Sequence, residues 1–186
     1  VILTHMRGRD QTSWFPFARF IAESGYKVFT FDFRGYGKST GIKDTRMDRD
    51  LEAAIAYMRA KGAQQVVLIG ASMGGTAVIE LASESQVQGV AALSPQAEFG
   101  RINALTAVES MVIPLLLIVS ENDYQYYSDA RKIESAAAAT QFVVVQGQQH
   151  GTNMIAEHRN EIFANLLAFL DRWTDDRLLT TVQTES

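Results

Sequence analysis

The chain has 186 residues, 47% of them hydrophobic, with a net charge of −4 and a pI near 5.4. That length supports one domain with its own core, and an acidic balance without a run of Lys or Arg excludes a nucleic-acid surface. No apolar stretch reaches the roughly 18 residues of a membrane span, the lack of Cys removes disulfides and thiolate metal sites, and no His or carboxylate cluster has metal-ligand spacing.

Residues 1–4 read as a short strand, followed by His5, an irregular loop and a helix over 14–24. A strand over 26–31 runs into Asp32-Phe33-Arg34-Gly35-Tyr36-Gly37-Lys38-Ser39, a glycine-rich turn. Two nucleotide-binding readings of this turn fail on spacing. A G-x-x-x-x-G-K-[ST] loop needs Gly where Asp32 stands, and a G-x-G-x-x-G fingerprint opened by Gly35 and Gly37 needs Gly where Thr40 stands. The turn is expected to pack Asp32 and Arg34 against the floor of a site. Further along come a helix over 47–61, strands over 65–70 and 88–93 with a helix over 74–84 between them, and a strand over 114–120. A helix over 127–138, a strand over 141–146 and a last helix over 153–172 complete the chain. Ile155, Ile162, Phe163, Leu166, Leu167, Phe169 and Leu170 recur near the helical period, which buries one face of that last helix. Strands alternating with helices predict an α/β fold, a mostly parallel sheet with helices on both faces. Residues 1–173 read as one domain and 174–186 as a frayed tail or contact arm.

The most informative five residues are Gly70-Ala71-Ser72-Met73-Gly74, a G-x-S-x-G match between an aliphatic strand and a helix. A serine on so sharp a turn has its hydroxyl pushed clear of the sheet, and the flanking glycines let neighbouring chain come close. The same turn sets the N–H of Met73 at a helix N-terminus, where it can face a developing oxyanion. A nucleophilic Ser72 needs a base and an acid to orient it. Of three histidines, His150 follows a strand end as Ser72 does, His158 sits among charged residues of the last helix, and His5 suits a structural role. The acid is Asp123 at the end of the 114–120 strand, with Glu121 as competitor. Successive parallel strands would bring Asp123 and His150 to the same carboxyl edge, where sites form in open α/β sheets.

Taken in order, the D-x-R-G-x-G-x-S turn at 32–39, the elbow at 70–75, Asp123 and His150-Gly151 make the chain resemble the α/β-hydrolase superfamily over nearly its whole length. The resemblance implies the α/β-hydrolase fold in minimal form, without a cap domain. Because the family has one or two strands before the one that opens this chain, an N-terminal piece is expected to be missing, with any signal peptide it carried. Family members carry His-Gly after that strand, and the next residue donates a second oxyanion N–H. Here the pair is His5-Met6, followed by Arg7, so Met6 or Arg7 would donate beside Met73, with His5 holding the loop by hydrogen bonds. The connection over 94–113 has room for one short helix, which implies an open site suited to small soluble esters. Trp14, Tyr124 and Met154 are candidate pocket residues, each equally readable as packing. Tyr124, Tyr126 and Tyr127 cluster beside the acid with no role assigned. The expected function is a serine esterase acting through an acyl-enzyme on Ser72, needing no cofactor or metal, with a small-molecule ester as partner. A thioesterase or peptidase on the same triad, or a non-catalytic binding member of the fold, are the alternatives. The compartment stays open, with the cytoplasm favoured.

Overall fold

A computed structural model describes residues 1–44, 46–83 and 85–174. The tail expected from 174 onward therefore lies, past Thr174, outside the described residues. Six parallel strands form the main sheet: β1 (Ile2–Thr4), β2 (Phe29–Phe31), β3 (Val67–Ala71), β4 (Gly89–Leu93), β7 (Leu115–Ser120) and β8 (Thr140–Val145). Their order is β2-β1-β3-β4-β7-β8. Two short strands, β5 (Glu98–Phe99) and β6 (Ile102–Asn103), make a separate antiparallel hairpin.

Strand side chains alternate between two cores, as a parallel sheet covered on both faces requires. Ile2, Leu68, Val90, Ala92, Leu115 and Leu117 face one layer, and Leu3, Val67, Ile69, Ala91, Leu116 and Ile118 face the other. The first layer is closed by α2 (Met47–Ala60), α3 (Met73–Ala82), α4 (Ala104–Ser110) and α5 (Tyr124–Ala136). The second is closed by α1 (Phe15–Glu23) and α6 (Ile155–Trp173), through Phe17, Ile21, Ile162, Phe163 and Leu166. The α/β-hydrolase fold read from the sequence is the fold observed. The connection from β4 to β7 holds only the hairpin and the seven-residue α4, so nothing of cap size is inserted there.

Most boundaries fall within two residues of the sequence reading, and two starts differ by three. The strand expected over 26–31 pairs only from Phe29. Helix α5 begins at Tyr124 rather than 127, because Asp123 occupies the N-cap position and the chain turns helical at once. The three tyrosines therefore make the first turn of a helix, on the sheet's carboxyl edge.

Candidate active site

Ser72 joins β3 to α3 with φ 50° and ψ −120°, a left-handed strain that a serine tolerates only where its surroundings hold it. Its N–H donates to Leu93 O at 2.8 Å and its carbonyl accepts from Thr76 N at 2.9 Å, so strand β4 and the first turn of α3 fix the turn from both sides. The glycines around it are sterically required. A Cβ on Gly70 would lie 2.3 Å from Gly74 O, and one on Gly74 would lie 2.6 Å from His5 O. Met73 is the first residue of α3, where a backbone N–H has no partner within the helix.

Asp123 and His150 leave the neighbouring strands β7 and β8 at the same edge. His150 Nδ1 lies 2.8 Å from Asp123 Oδ2, with the two side chains 20% and 9% exposed. The carboxylate can only accept, so Nδ1 carries a proton, and in the neutral ring Nε2 is the nitrogen with the lone pair. Glu121 instead accepts from Asn122 Nδ2 at 3.3 Å and Gly147 N at 3.4 Å. His158 lies on α6, 3.8 Å from Glu161 Oε2. Among the described residues Ser72 Oγ has no hydrogen bond to the imidazole.

His5 is fully buried and neutral. Phe33 N donates to its Nε2 at 3.1 Å, which makes Nδ1 the protonated nitrogen and a donor to Met6 O at 2.9 Å. Burial, the largest influence, pushes its pKa below the usual histidine value. Met6 O also accepts from Arg9 N at 3.2 Å. The Arg7 guanidinium pairs with Asp44 Oδ2 at 3.1 Å and lies over the Phe99 ring, tying this loop to the β5–β6 hairpin. Tyr36, which also binds Asp44, has its phenol raised to about 12, chiefly by burial.

Three expected roles need correction. Trp14 is wholly buried, with its Nε1 donating to Thr4 O at 2.8 Å, so it is a core residue that anchors β1. Met154 is equally buried, in the layer under α1 and α6. Neither lines an open pocket: each ends a short 3-10 turn, Gln11–Trp14 and Gly151–Met154, and packs into the second core layer. Arg34 turns away from the site floor and binds Asp50 of α2, Nε to Oδ1 at 2.9 Å, while Asp32 caps the turn by accepting from Gln11 N and Lys38 N. Tyr124 is 79% exposed, at the start of α5 directly after Asp123. Tyr126 was missed: its ring lies 3.8 Å from the imidazole of His150, centre to centre, tilted by 43°. The signal was the run of tyrosines itself, which gains meaning once α5 starts at Tyr124. A cavity of about 520 Å³ lined by Ile2, Tyr26, Met58 and Val66 is at the amino end of the strands, away from this chemistry.

Comparison with known proteins agrees with this architecture. The sequence model for the alpha/beta hydrolase fold matches residues 1–136, and the chain belongs to that family. Among curated relatives, YfhR, an uncharacterized protein of Escherichia coli K12, is 25% identical over 118 residues, 61% of this chain and 40% of its own length. The 2-hydroxy-6-oxononadienedioate/2-hydroxy-6-oxononatrienedioate hydrolase of Klebsiella pneumoniae is 34% identical over 84 residues, 42% of this chain and 29% of its own. The chain thus spans well under half the length of these relatives. Among solved structures, a Paleococcus ferrophilus monoacylglycerol lipase superposes with a TM-score of 0.79 at 16% identity, covering 93% of this chain and 94% of that one. An enol-lactonase from Burkholderia xenovorans gives 0.78 at 15%, covering 91% and 90%. The esterase domain of a Rhodothermus marinus protein gives 0.75 at 22%, covering 92% and 86%. At such identities these likenesses establish the fold.

Proposed function

We propose that the protein is a serine hydrolase of small carboxylic esters, working through an acyl-enzyme on Ser72. The observation that carries this reading is the 2.8 Å bond from His150 Nδ1 to Asp123 at the sheet edge where Ser72 sits strained on its turn. Esterases and lipases among the structural neighbours, and a hydrolase among the sequence relatives, lean the same way.

In this reading His150 Nε2 takes the proton of Ser72 Oγ as the oxygen attacks the ester carbonyl carbon. The imidazolium is stabilised by Asp123 and returns the proton to the departing alcohol as the ester C–O bond breaks. Water repeats the sequence on the acyl-enzyme and releases the acid. The free enzyme needs no prior bond from Ser72 Oγ to the imidazole, since such contacts often tighten only with substrate seated. Met73 N–H is one oxyanion donor. For the second, Arg7 N–H is preferred to Met6 N–H. Met6 O is held by both His5 Nδ1 and Arg9 N, and in a trans peptide the Arg7 N–H faces away from that carbonyl. The short connection between β4 and β7 leaves the edge uncovered, which favours short acyl chains over long ones.

The test is hydrolysis of p-nitrophenyl esters from acetyl to palmitoyl, with Ser72→Ala alongside. Activity that peaks at short chains and disappears in the folded variant is expected. Retained turnover in Ser72→Ala would refute the nucleophile, and preference for acyl thioesters would move the reading to a thioesterase.

A further inference from the structure

Four non-glycine residues have positive φ among the described residues: Asp44 and Arg46, on either side of residue 45 ahead of α2, and Ser72 and Ser94, which end strands at the carboxyl edge. The elbow accounts for Ser72. Ser94, directly after β4, is fully buried at φ 47° and has no part in the proposed chemistry. A glycine would hold this conformation without strain, so the serine must retain its hydroxyl at a cost. That hydroxyl accepts the N–H of Gly151 at 3.1 Å. Ser94 N donates to Ile118 O at 2.8 Å, so the residue is itself pinned to the sheet.

A second buried serine acts on the other side of the imidazole. Ser120, the last residue of β7, donates its hydroxyl to Gln149 O at 2.6 Å. The peptide groups immediately before and after His150 are thus each tied to a strand end by one serine side chain. Gly151, at φ 55°, has no room to drift: a Cβ there would lie 3.0 Å from Met6 Sδ and 3.5 Å from Ala71 Cβ.

We infer that Ser94 and Ser120 are positioning residues that seat the backbone of His150, so that the imidazole meets Asp123 on one side and faces Ser72 on the other. This rests on the serine-hydrolase reading for its catalytic meaning. The seat itself is a matter of geometry. Without the two hydroxyls, the 146–151 loop keeps the bonds from Asn122 N to Gly147 O and from Asn153 N to His150 O, both 3.0 Å, but loses the two that hold the peptide groups flanking the imidazole.

The variants are Ser94→Ala, which removes the hydroxyl and keeps the strained backbone, Ser94→Gly, which removes both, and Ser120→Ala. Two readouts are taken: kcat and KM on p-nitrophenyl acetate, and solvent exchange of the downfield proton on His150 Nδ1, identified by its loss in His150→Gln. In all three variants kcat falls by about tenfold or more with KM within about twofold, as expected for a misaimed group, and the Nδ1 proton exchanges faster. Ser94→Gly melts above Ser94→Ala because its strain is gone, yet recovers no turnover. Recovery of kcat along with stability in Ser94→Gly would reduce Ser94 to a structural role and overturn the inference. So would a parent without a protected Nδ1 proton, or one whose exchange rate is the same in all three variants. If the parent hydrolyses no ester, the esterase reading falls, and the Nδ1 proton alone decides whether the serines seat the loop.

Discussion

Gly74→Ala should damage this protein out of proportion to the size of a methyl group. Gly74 lies inside α3, where alanine is ordinarily favoured over glycine by about 1 kcal/mol. Position 74 reverses that preference. Its Cβ would meet His5 O at 2.6 Å, Thr4 Oγ1 at 2.7 Å and Thr4 O at 2.8 Å, well inside the contact that begins near 3.4 Å. Two of the three are backbone atoms of β1's end, and the third is held in place by donating to Gly74 O at 3.1 Å. None is the free tip of a flexible side chain, so the start of α3 and the end of β1 must separate. Overpacking of this kind costs about 1–3 kcal/mol, and three contacts of 2.6–2.8 Å put it at the upper end, about 3 kcal/mol against the roughly 1 kcal/mol of helix preference. For a chain of this size a net loss of about 2 kcal/mol lowers Tm by roughly 4–8 °C. The separation also moves Met73 N–H away from the loop holding Arg7 N–H. Because misplacement approaching 1 Å costs on the order of a hundredfold in rate, kcat should fall by about ten- to a hundredfold. The assays are thermal melting and short-chain ester turnover. Gly62→Ala is the control: it has φ +87° with nothing within 4 Å, so it should cost about 1 kcal/mol of backbone strain and leave the rate alone. If Gly74→Ala melts at or above the parent with unchanged turnover, the close approach that shapes the elbow is refuted.

Asp123→Asn should lower kcat by about 10²–10⁴-fold, because an amide facing Nδ1 no longer fixes the tautomer that leaves Nε2 free. Glu121→Gln, which keeps the acceptor for Gly147 N, should cost no more than about threefold, the worth of one weak hydrogen bond; the reverse ranking would give the acid's role to Glu121. The pH dependence of stability should carry a contribution from His5. Its folded pKa lies below the ordinary 6.5 because it is buried and neutral, so the unfolded chain binds the proton more readily. Its contribution is then complete above pH 6.5 and is lost as pH falls from 6.5 toward the folded value. In urea unfolding, the stability gap between the parent and His5→Gln should be largest at neutral pH and narrow toward pH 5; a gap constant with pH would show that His5 is not held neutral.

Much of this was legible in the sequence because it resided in local patterns. The alternation of aliphatic strands and amphipathic helices gave the parallel sheet, and the elbow announced itself through glycines whose spacing has a steric cause. Asp123 and His150 could be paired in advance because each follows a strand and parallel strands deliver their ends to one edge, where the two lie 2.8 Å apart. Trp14 and Met154 escaped correct reading because nearness to a motif in the chain says nothing about which side of a loop a side chain occupies. Trp14 went inward to satisfy its Nε1 on Thr4 O. The partners of Tyr126, noticed only as one of a run of tyrosines, and of Ser94 were illegible for a different reason. The contacts with His150 and Gly151 join residues 24 and 57 positions apart, and neither belongs to a pattern that sequence alone can pair.

The distribution of strain explains why the edge holds together without a cap. Three turns meet there, at Ser72 after β3, Ser94 after β4 and Gly151 after His150, and each uses a left-handed residue. Such residues let the chain leave the sheet abruptly, which keeps the polar groups of the turns close enough to satisfy one another. Ser72 N binds Leu93 O, Ser94 N binds Ile118 O, and Gly151 N binds Ser94 Oγ. The turns after β3 and β4 are each braced by the next strand over, and the turn at Gly151 reaches past β7 to the end of β4, so the proposed nucleophile and base are coupled through β4 rather than through a lid. A site built this way gains its order from the sheet before any substrate arrives. It follows that loosening a brace such as Ser94 should act on rate more than on binding, since the groups that would touch the substrate's remote parts are elsewhere on the open edge.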